Sequence, residues 1–454
     1  MCSLSTFSVP WTSLCVVPSD RVWDVCCSYN GSSSKVVMPG SSRWRLALAF
    51  LATAAIVGGA LLHVNLVYPM ADVEGDREVD GNCTPRLSVG FLKTHKCASS
   101  SIQNIMLRFG ERRGLSFVLP PASNYLGHPK PFHRSMAPAL ANRSGYFDLL
   151  VHHARFNEQE MRHVLAPGAK FVTIVREPAE LFESLYSYYD LVKQFRVSLD
   201  RVTNSSLVWV RKRLARKPLD KLGLNQMSFD LGLEPFQKPL DKLGLNQMSF
   251  DLGLEPFQFN DLEAVHRFIR HLDSAFDLVL VAERMRESLV LLKDLLCWST
   301  DDVVAFKHNA RAAPFRRPLD PQGRARLREL NAADAFLYEH FAKRMDDRVR
   351  DFGSERMQRE LRHLDERTSF WYSRCVGGIQ PVRRLMKGVS TQKRKYWTNA
   401  KVVGFQAKDS RSKECHGFLA QELVFTDEIR KRQKQTLPTR KPLVATAKKN
   451  STRS

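Results

Sequence analysis

Apolar and polar positions along the chain alternate in two rhythms. Residues 87–93, LSVGFLK, form a short apolar, β-favouring run, and SSSIQNIMLRFGERRG (99–114) places Ile102, Ile105, Met106 and Phe109 at helical spacing. Ser99 or Ser100 suits the helix N-cap and Gly114 its end. The same strand-then-helix order recurs three times. DLLVHH (148–153) precedes FNEQEMRHVL (156–165), and KFVTIVREP (170–178) precedes AELFESLYSYYDLVKQF (179–195). FDLVLVAE (276–283) precedes ESLVLLKDLLCW (287–298). Strands alternating with helices predict an α/β fold, a parallel sheet flanked by helices on both faces. Ligands of such sheets sit at the carboxyl ends of the strands.

A third pattern lies near the start. Residues 46–62, LALAFLATAAIVGGALL, carry no charge, and the run continues to Tyr68 with only His63 and Asn65 as polar interruptions. That is long enough to cross a bilayer as a helix, and it begins too far into the chain for a cleaved signal peptide. Arg43 and Arg45 precede it, while Asp72, Glu74 and Asp76 follow. Positive residues stay on the cytoplasmic side, so the expected arrangement is type II. Residues 1–45 form a cytosolic tail, 46–68 a transmembrane signal anchor and 69–86 a polar stem, with the remainder lumenal.

Charge and cysteine refine this picture. The 454 residues hold 69 Lys/Arg and 47 Asp/Glu, a net charge of +22, with 43% hydrophobic residues, enough for a core and against wholesale disorder. Residues 380–454 contribute 19 Lys/Arg against five Asp/Glu. Much of the excess is therefore a basic tail, expected to be disordered over 416–454, and no zinc-finger or RNA-recognition signature supports a nucleic-acid partner. Cys83, Cys97, Cys297, Cys375 and Cys415 fall on the lumenal side, where disulfides form, and Cys375–Cys415 is the preferred pair. Five is odd, so one is free or pairs between chains, which leaves a homo-oligomer open. Asn82, Asn142, Asn204 and Asn450 head glycosylation sequons. Residues 217–237, KPLDKLGLNQMSFDLGLEPFQ, recur without change as 238–258. Two copies are too few for a solenoid, and the tandem duplication is expected to extrude as a surface loop with no function assigned to it.

Two segments carry chemistry. FLKTHKCASSSIQN (91–104) sits where a strand hands over to a helix and offers Lys93, His95, Lys96 and the small residues Ala98 to Ser101. Free N–H groups and the positive dipole end make a helix N-terminus a phosphate site, and lysines add mobile charge. The Walker A spacing is absent. VREPAELFESLYSYY (175–189) places Arg176 at a strand end, Pro178 at the helix start and Ser184 eight residues after the arginine. A guanidinium fork with a hydroxyl suits a second phosphate. Read alone, each segment also fits an ordinary solvated or capped helix start.

Together, Lys-Thr-His-Lys after an apolar strand and Arg-x-Pro-x5-Ser about 80 residues later resemble the 3′-phosphoadenosine-5′-phosphosulfate (PAPS) sites of Golgi carbohydrate sulfotransferases. The wording is most similar to the galactose-3-O-sulfotransferase family, that of galactosylceramide sulfotransferase, over roughly 87–375. HHARF (152–156) and the blocks within 276–311 share in it. The resemblance implies a P-loop-like sulfotransferase fold over 87–415 and transfer of a sulfuryl group from PAPS to the 3-hydroxyl of a β-galactose in a glycolipid or glycan acceptor. It also implies residence in the Golgi membrane. Lys96 would hold the 5′ side of PAPS and neutralise the bridging oxygen. Lys93, Thr94, Ser99 and Ser100 would complete the cradle, while Arg176 and Ser184 would hold the 3′-phosphate. No metal is expected, because lysine can do the electrostatic task. A base must take the sugar proton. His152 and His153 end a strand and point to opposite faces, and His153 is the preferred base, with His152 second. A catalytically inactive PAPS- or glycan-binding paralogue is the alternative, and a nucleotide kinase the third class.

Overall fold

A computed structural model of the chain describes residues 14–19, 22–29 and 32–39 and then 83–436, apart from 129, 138–144, 207–208, 211–250, 254–261, 313–314, 317 and 386–401. The expected membrane anchor at 46–68, most of the stem and nearly all of the repeat lie outside the described residues. Among the described residues no helix is long and apolar enough to cross a membrane.

The chain divides into two units, 1–75 and 76–454. The first contains an antiparallel three-stranded sheet, β1 (Leu14–Ser19), β2 (Val22–Tyr29) and β3 (Ser32–Pro39), with Leu14 opposite Cys27 and Val22 opposite Pro39. These strands fall where the sequence suggested only a cytosolic tail. Val16, Val25, Val36 and Val37 supply β-branched residues in each strand.

The second unit is built on a parallel sheet of β4 (Val89–Leu92), β5 (Leu149–Leu150), β6 (Lys170–Val175) and β7 (Leu278–Val281), in the spatial order β5-β4-β6-β7. Every pairing is parallel, with Gly90 beside Leu150 and Phe171, and Val172 beside Leu278. All four residues of β4 and of β7 are buried, as continuous apolar runs covered on both faces must be. The strand order reverses between β4 and β6. That switch point is where the sheet opens a crevice at its carboxyl end.

Helices pack against the sheet much as the periodicity predicts. Helix α1 (Ser99–Arg112) follows β4, and Ile102, Ile105, Met106 and Phe109 are all buried. A Cβ on Gly110 would lie 2.4 Å from the Phe117 ring and 2.5 Å from Leu149, so glycine sets how closely α1 approaches the sheet. Helix α2 (Glu158–Val164) starts at Asn157, whose side chain accepts the Glu160 N–H. Helix α3 (Pro178–Tyr188) opens with Pro178 in its first turn, where the missing N–H costs nothing, and Glu177 caps it. It ends sooner than expected, because Asp190 takes a left-handed φ of 53° and a short second helix, Leu191–Phe195, begins.

Beyond α3, α4 (Leu262–Ala275) precedes β7 and α5 (Met285–Leu296) follows it. The chain continues through α6 (Pro321–Leu330), α7 (Ala332–Phe352) and α8 (Ser354–Cys375). A small antiparallel sheet joins β8 (Ala310–Arg311), β9 (Val376–Pro381) and β10 (Val402–Ala407), with β10 in the middle. Trp298, buried just after α5, stacks on Phe109 at 3.6 Å between ring centroids and so joins the first and last blocks of the sheet domain.

The C-terminal region departs from expectation. Instead of a disordered tail from 416, the structure has α9 (Lys413–Leu419) and α10 (Glu422–Thr436). Phe425, Thr426, Ile429 and Gln433 form a buried stripe at spacings of one, three and four residues, masked in composition by Arg430, Lys431, Arg432 and Lys434. Gln433 acts as a mock strand neighbour, accepting the Phe117 N–H at 2.9 Å and donating to the Phe117 carbonyl at 2.9 Å. Residues 437–454 lie outside the described residues. Cys375 bonds to Cys415, the expected pair, while Cys83 bonds to Cys297 and Cys97 is the buried free thiol.

Candidate active site

A cavity of about 1290 Å³ opens at the switch point, lined by the loops after β4 and β6, the segment 121–125, the block 305–311 and helix α10. Its floor is the N-terminus of α1. Lys96 and Ala98 both take left-handed backbone conformations, φ 56° and 60°, which turn the chain sharply out of β4. Ala98 is the N-cap and has no side chain able to cap, so no side-chain hydrogen bond closes the helix start. An uncapped helix N-terminus facing a cavity is an anion site in waiting.

Lys96 stands over this floor. It is half-buried, with Nζ 3.6 Å from the centroid of the Tyr188 ring. Burial, followed by the charges of Arg176, Arg311 and Lys93, lowers its pKa to about 7. Cations crowded to that degree fit a polyanionic ligand, which would restore the ammonium form. Arg176 ties the two loops of the switch point together by donating from Nη1 to the Lys96 carbonyl at 2.9 Å. Ser184, one helical face along α3, is buried and lines the same cavity. Arg311 makes a two-pronged pair with Glu183, which places its guanidinium beside Lys96.

The structure brings together Lys93, Lys96, Ser99, Ser100, His153, Arg176 and Ser184 around this cavity. Lys93 is engaged there as half of a buried ion pair with Glu422 from α10. Burial lowers the Lys93 pKa, and the Glu422 carboxylate opposes that effect. Glu422 also accepts from Asn124 at 2.7 Å and from the Ser100 hydroxyl at 3.3 Å. Ser99 donates its hydroxyl to the Thr94 carbonyl.

Two of the residues picked from sequence are placed elsewhere. Thr94, expected in the cradle, is fully buried and donates its hydroxyl to the Ile174 carbonyl at 2.6 Å, so it fastens β4 to β6. His152, the second choice of base, faces away from the cavity onto Thr426 of α10, with 3.1 Å between Nε2 and Oγ1. Burial holds its pKa at about 3, so it is neutral and structural. The opposite-faces argument thus holds, and His153 is the residue on the cavity side.

His153 forms one ring of a stack. Its centroid lies 4.2 Å from that of His95 and 4.6 Å from that of Tyr125, with near-parallel planes. The Lys93 carbonyl lies 2.9 Å from His153 Nδ1, which places the proton on Nδ1 and the lone pair on Nε2. Burial, then the neighbouring His95, Lys93 and His128, push its pKa well below 6.5, so the ring is neutral with its Nε2 lone pair unprotonated.

Behind this stack stands Asp251, from the second copy of the repeat. It is fully buried, so this residue of the duplicated segment packs inside instead of extruding. Its Oδ2 accepts the His95 backbone N–H at 2.9 Å and lies 2.7 Å from His95 Nδ1, while Oδ1 lies 3.2 Å from His128 Nε2. His95 Nε2 in turn lies 3.1 Å from the Tyr125 hydroxyl. Hydrogen bonds to the two imidazoles hold the Asp251 carboxyl ionised, against the opposing effect of burial. His95, His128 and Asp251 are also the one group among the described residues whose ligand atoms lie close enough for a metal ion, within 4.8 Å. Their separations of 2.7 and 3.2 Å are hydrogen-bond lengths, and both carboxylate oxygens already face ring nitrogens.

Comparison with known proteins gives this geometry a family. The sequence profile of the galactose-3-O-sulfotransferases matches residues 40–433. Galactosylceramide sulfotransferase of Bos taurus is 35% identical over 309 residues, 66% of this chain and 67% of that protein. The chain belongs to the galactose-3-O-sulfotransferase family. Galactose-3-O-sulfotransferase 3 of Mus musculus is 33% identical over 370 residues, 77% of this chain and 78% of that protein. A crystal structure of a sulfotransferase from Alicyclobacillus acidocaldarius aligns with 57% of this chain and 95% of its own at 14% identity, with a TM-score of 0.26. That likeness is too slight to carry an argument.

Sequence reasoning about this galactose-3-O-sulfotransferase family member missed four side chains of the site. Tyr125 and Asn124 lie in an irregular stretch with no periodic signal, Glu422 in a segment dominated by basic residues, and Asp251 inside a duplication. Arg311 was visible only as part of a sequence block.

Proposed function

We propose that the protein transfers the sulfuryl group of PAPS to the 3-hydroxyl of a β-galactose in a glycolipid, of the galactosylceramide type, or in a glycoprotein glycan. The observation that carries this reading is the uncapped start of α1 beneath the crowded ammonium of Lys96, joined to the β6 loop by Arg176. PAPS supplies the activated sulfuryl group on a phosphate leaving group. Lys96 and the first amides of α1 hold the 5′ side, and Arg176 with Ser184 the 3′-phosphate. Lys96 neutralises the charge that gathers on the bridging oxygen, an electrostatic task suited to an in-line transfer with little covalent work. Ser99 and Ser100 fix the loop, and the Lys93–Glu422 pair forms the wall beside it.

His153 takes the proton of the acceptor hydroxyl on Nε2, the atom left free by its bond to the Lys93 carbonyl. A second reading, favoured by the Asp251 contact, gives that task to His95. A type II membrane anchor is supported by the charge-free run at 46–62 and its flanking charges, and residence in the Golgi membrane is what the family resemblance implies. Two disulfides in the second unit fit an oxidising lumen.

The test is transfer from labelled PAPS to galactosylceramide, lactosylceramide and oligosaccharides ending in β-galactose. Lys96→Ala and Arg176→Ala are expected to lower kcat/KM by about 10²-fold or more. Loss in His153→Ala with retention in His95→Ala would identify His153 as the base, and the reverse would identify His95. A folded wild-type protein that binds PAPS yet sulfates none of these acceptors would favour the inactive paralogue.

A further inference from the structure

The 21-residue repeat places an ionised carboxylate directly behind the imidazoles of the cavity. Residues 217–237 and 238–258 are identical, so Asp230 and Asp251 occupy the same position in the two copies. In the structure the second copy supplies the buried carboxylate, and the Asp251 carbonyl also accepts the Phe156 N–H at 2.9 Å, seating Asp251 beside the stretch after β5 that carries His153. The first copy lies outside the described residues. Two hydrogen bonds from one residue, through the His95 backbone N–H and Nδ1, fix both the loop after β4 and the rotation of its ring. With the proton on Nδ1 facing Asp251, the lone pair of His95 is on Nε2, toward the Tyr125 hydroxyl and the cavity. A carboxylate on the far nitrogen of an imidazole sets its tautomer and orientation and stabilises the ring when it takes a proton.

We infer that Asp251, supplied by the second copy of the repeat, is a positioning residue for sulfuryl transfer. It acts through His95, which either accepts the acceptor proton itself or holds the stacked His153 in place. The inference rests on the sulfotransferase reading above, deepens it, and makes one residue of the duplicated segment part of the working site.

The test uses the full chain with Asp251→Asn, Asp230→Asn, the double variant and Asp251→Glu. Asparagine keeps the size and loses the charge. Asp251→Asn is expected to lower kcat on the order of 10²-fold while KM for PAPS stays within about twofold. Asp230→Asn should equal wild type, the double variant should equal Asp251→Asn, and Asp251→Glu should recover part of the rate. Unchanged kcat in the double variant would overturn the inference. A full rate in Asp251→Asn, lost only in the double variant, would overturn the assignment to the second copy. Loss of 3′-phosphoadenosine 5′-phosphate binding together with the rate would make Asp251 structural and likewise overturn it. One readout is independent of turnover. In ¹⁵N-histidine-labelled protein, His95 should show a protonated Nδ1 and an unprotonated Nε2, a pattern lost in the double variant. If the wild type binds the nucleotide but sulfates no acceptor, that spectrum still decides for or against the positioning contact.

Discussion

At the scale of single residues, the cavity crowds cations around the start of α1. Lys96 is held near neutrality by burial and by Arg176, Arg311 and Lys93, with a pKa of about 7. An anionic donor reverses that pressure and raises the pKa in the complex. The sign follows. Below pH 7 the lysine already carries its proton and adds no pH dependence of its own. Above pH 7 binding must take up a proton, so affinity falls by up to about tenfold per pH unit. Calorimetric titration with 3′-phosphoadenosine 5′-phosphate between pH 6 and 8.5 should show this limb, with proton uptake visible as a dependence on buffer ionisation heat. Lys96→Met should bind more weakly and lose the limb, and a pH-independent affinity in the wild type would refute the linkage.

At the scale of elements, strand–helix alternation was legible because each unit repeats one local pattern. The apolar run of β4 and the spacing of Ile102, Ile105, Met106 and Phe109 specify strand and helix without any tertiary partner. The residues that line the cavity around the start of α1 were legible for the same reason, since Lys96, Ser99 and Ser100 lie close in sequence and Arg176 and Ser184 lie just before and within α3. What could not be read are contacts that only the fold creates. Asp251 meets His95 across 156 positions of sequence, and Glu422 meets Lys93 across 329. Local periodicity carries no information at that range, and the apolar stripe of α10 was diluted by the four basic residues beside it. Thr94 shows the converse, a residue inside the motif whose hydroxyl serves the sheet.

The Lys93–Glu422 contact makes α10 part of the cavity wall. Glu422→Gln leaves a buried lysine without its counter-charge, and removing one partner of such a pair costs about 3–5 kcal/mol. Chemical denaturation should show a loss of that size. Glu422→Gln combined with Lys93→Met should recover much of it. Equal destabilisation in the single and double variants would show that the pair is not coupled.

At the scale of the whole molecule, two covalent links tie segments distant in sequence. Cys83–Cys297 holds the start of the second unit to the end of α5, and Cys375–Cys415 holds α8 to α9, closing a separation of 40 residues. A bond closing a loop of that length contributes about 2–4 kcal/mol, mainly by restricting the unfolded chain. Cys375→Ser with Cys415→Ser should lower stability by that amount in equilibrium unfolding and weaken the seating of α10 next in sequence. The expected outcome is a lower melting midpoint and a larger fractional loss of transfer activity than of stability at 25 °C. Activity equal to wild type at that temperature would show that α10 docks without the tether.

The position of Glu422 also sets the order in which a working enzyme comes into being. The parallel sheet, the α1 floor and the Lys96 loop are complete by Val281, so a ribosome releases them before α10. Lys93 then has no counter-ion until α10 emerges, 329 residues later in sequence. Domains fold largely as their segments appear. A nascent chain short of residue 422 therefore holds the donor loop with an unneutralised lysine, and a ribosome-stalled series should gain donor binding in one late step.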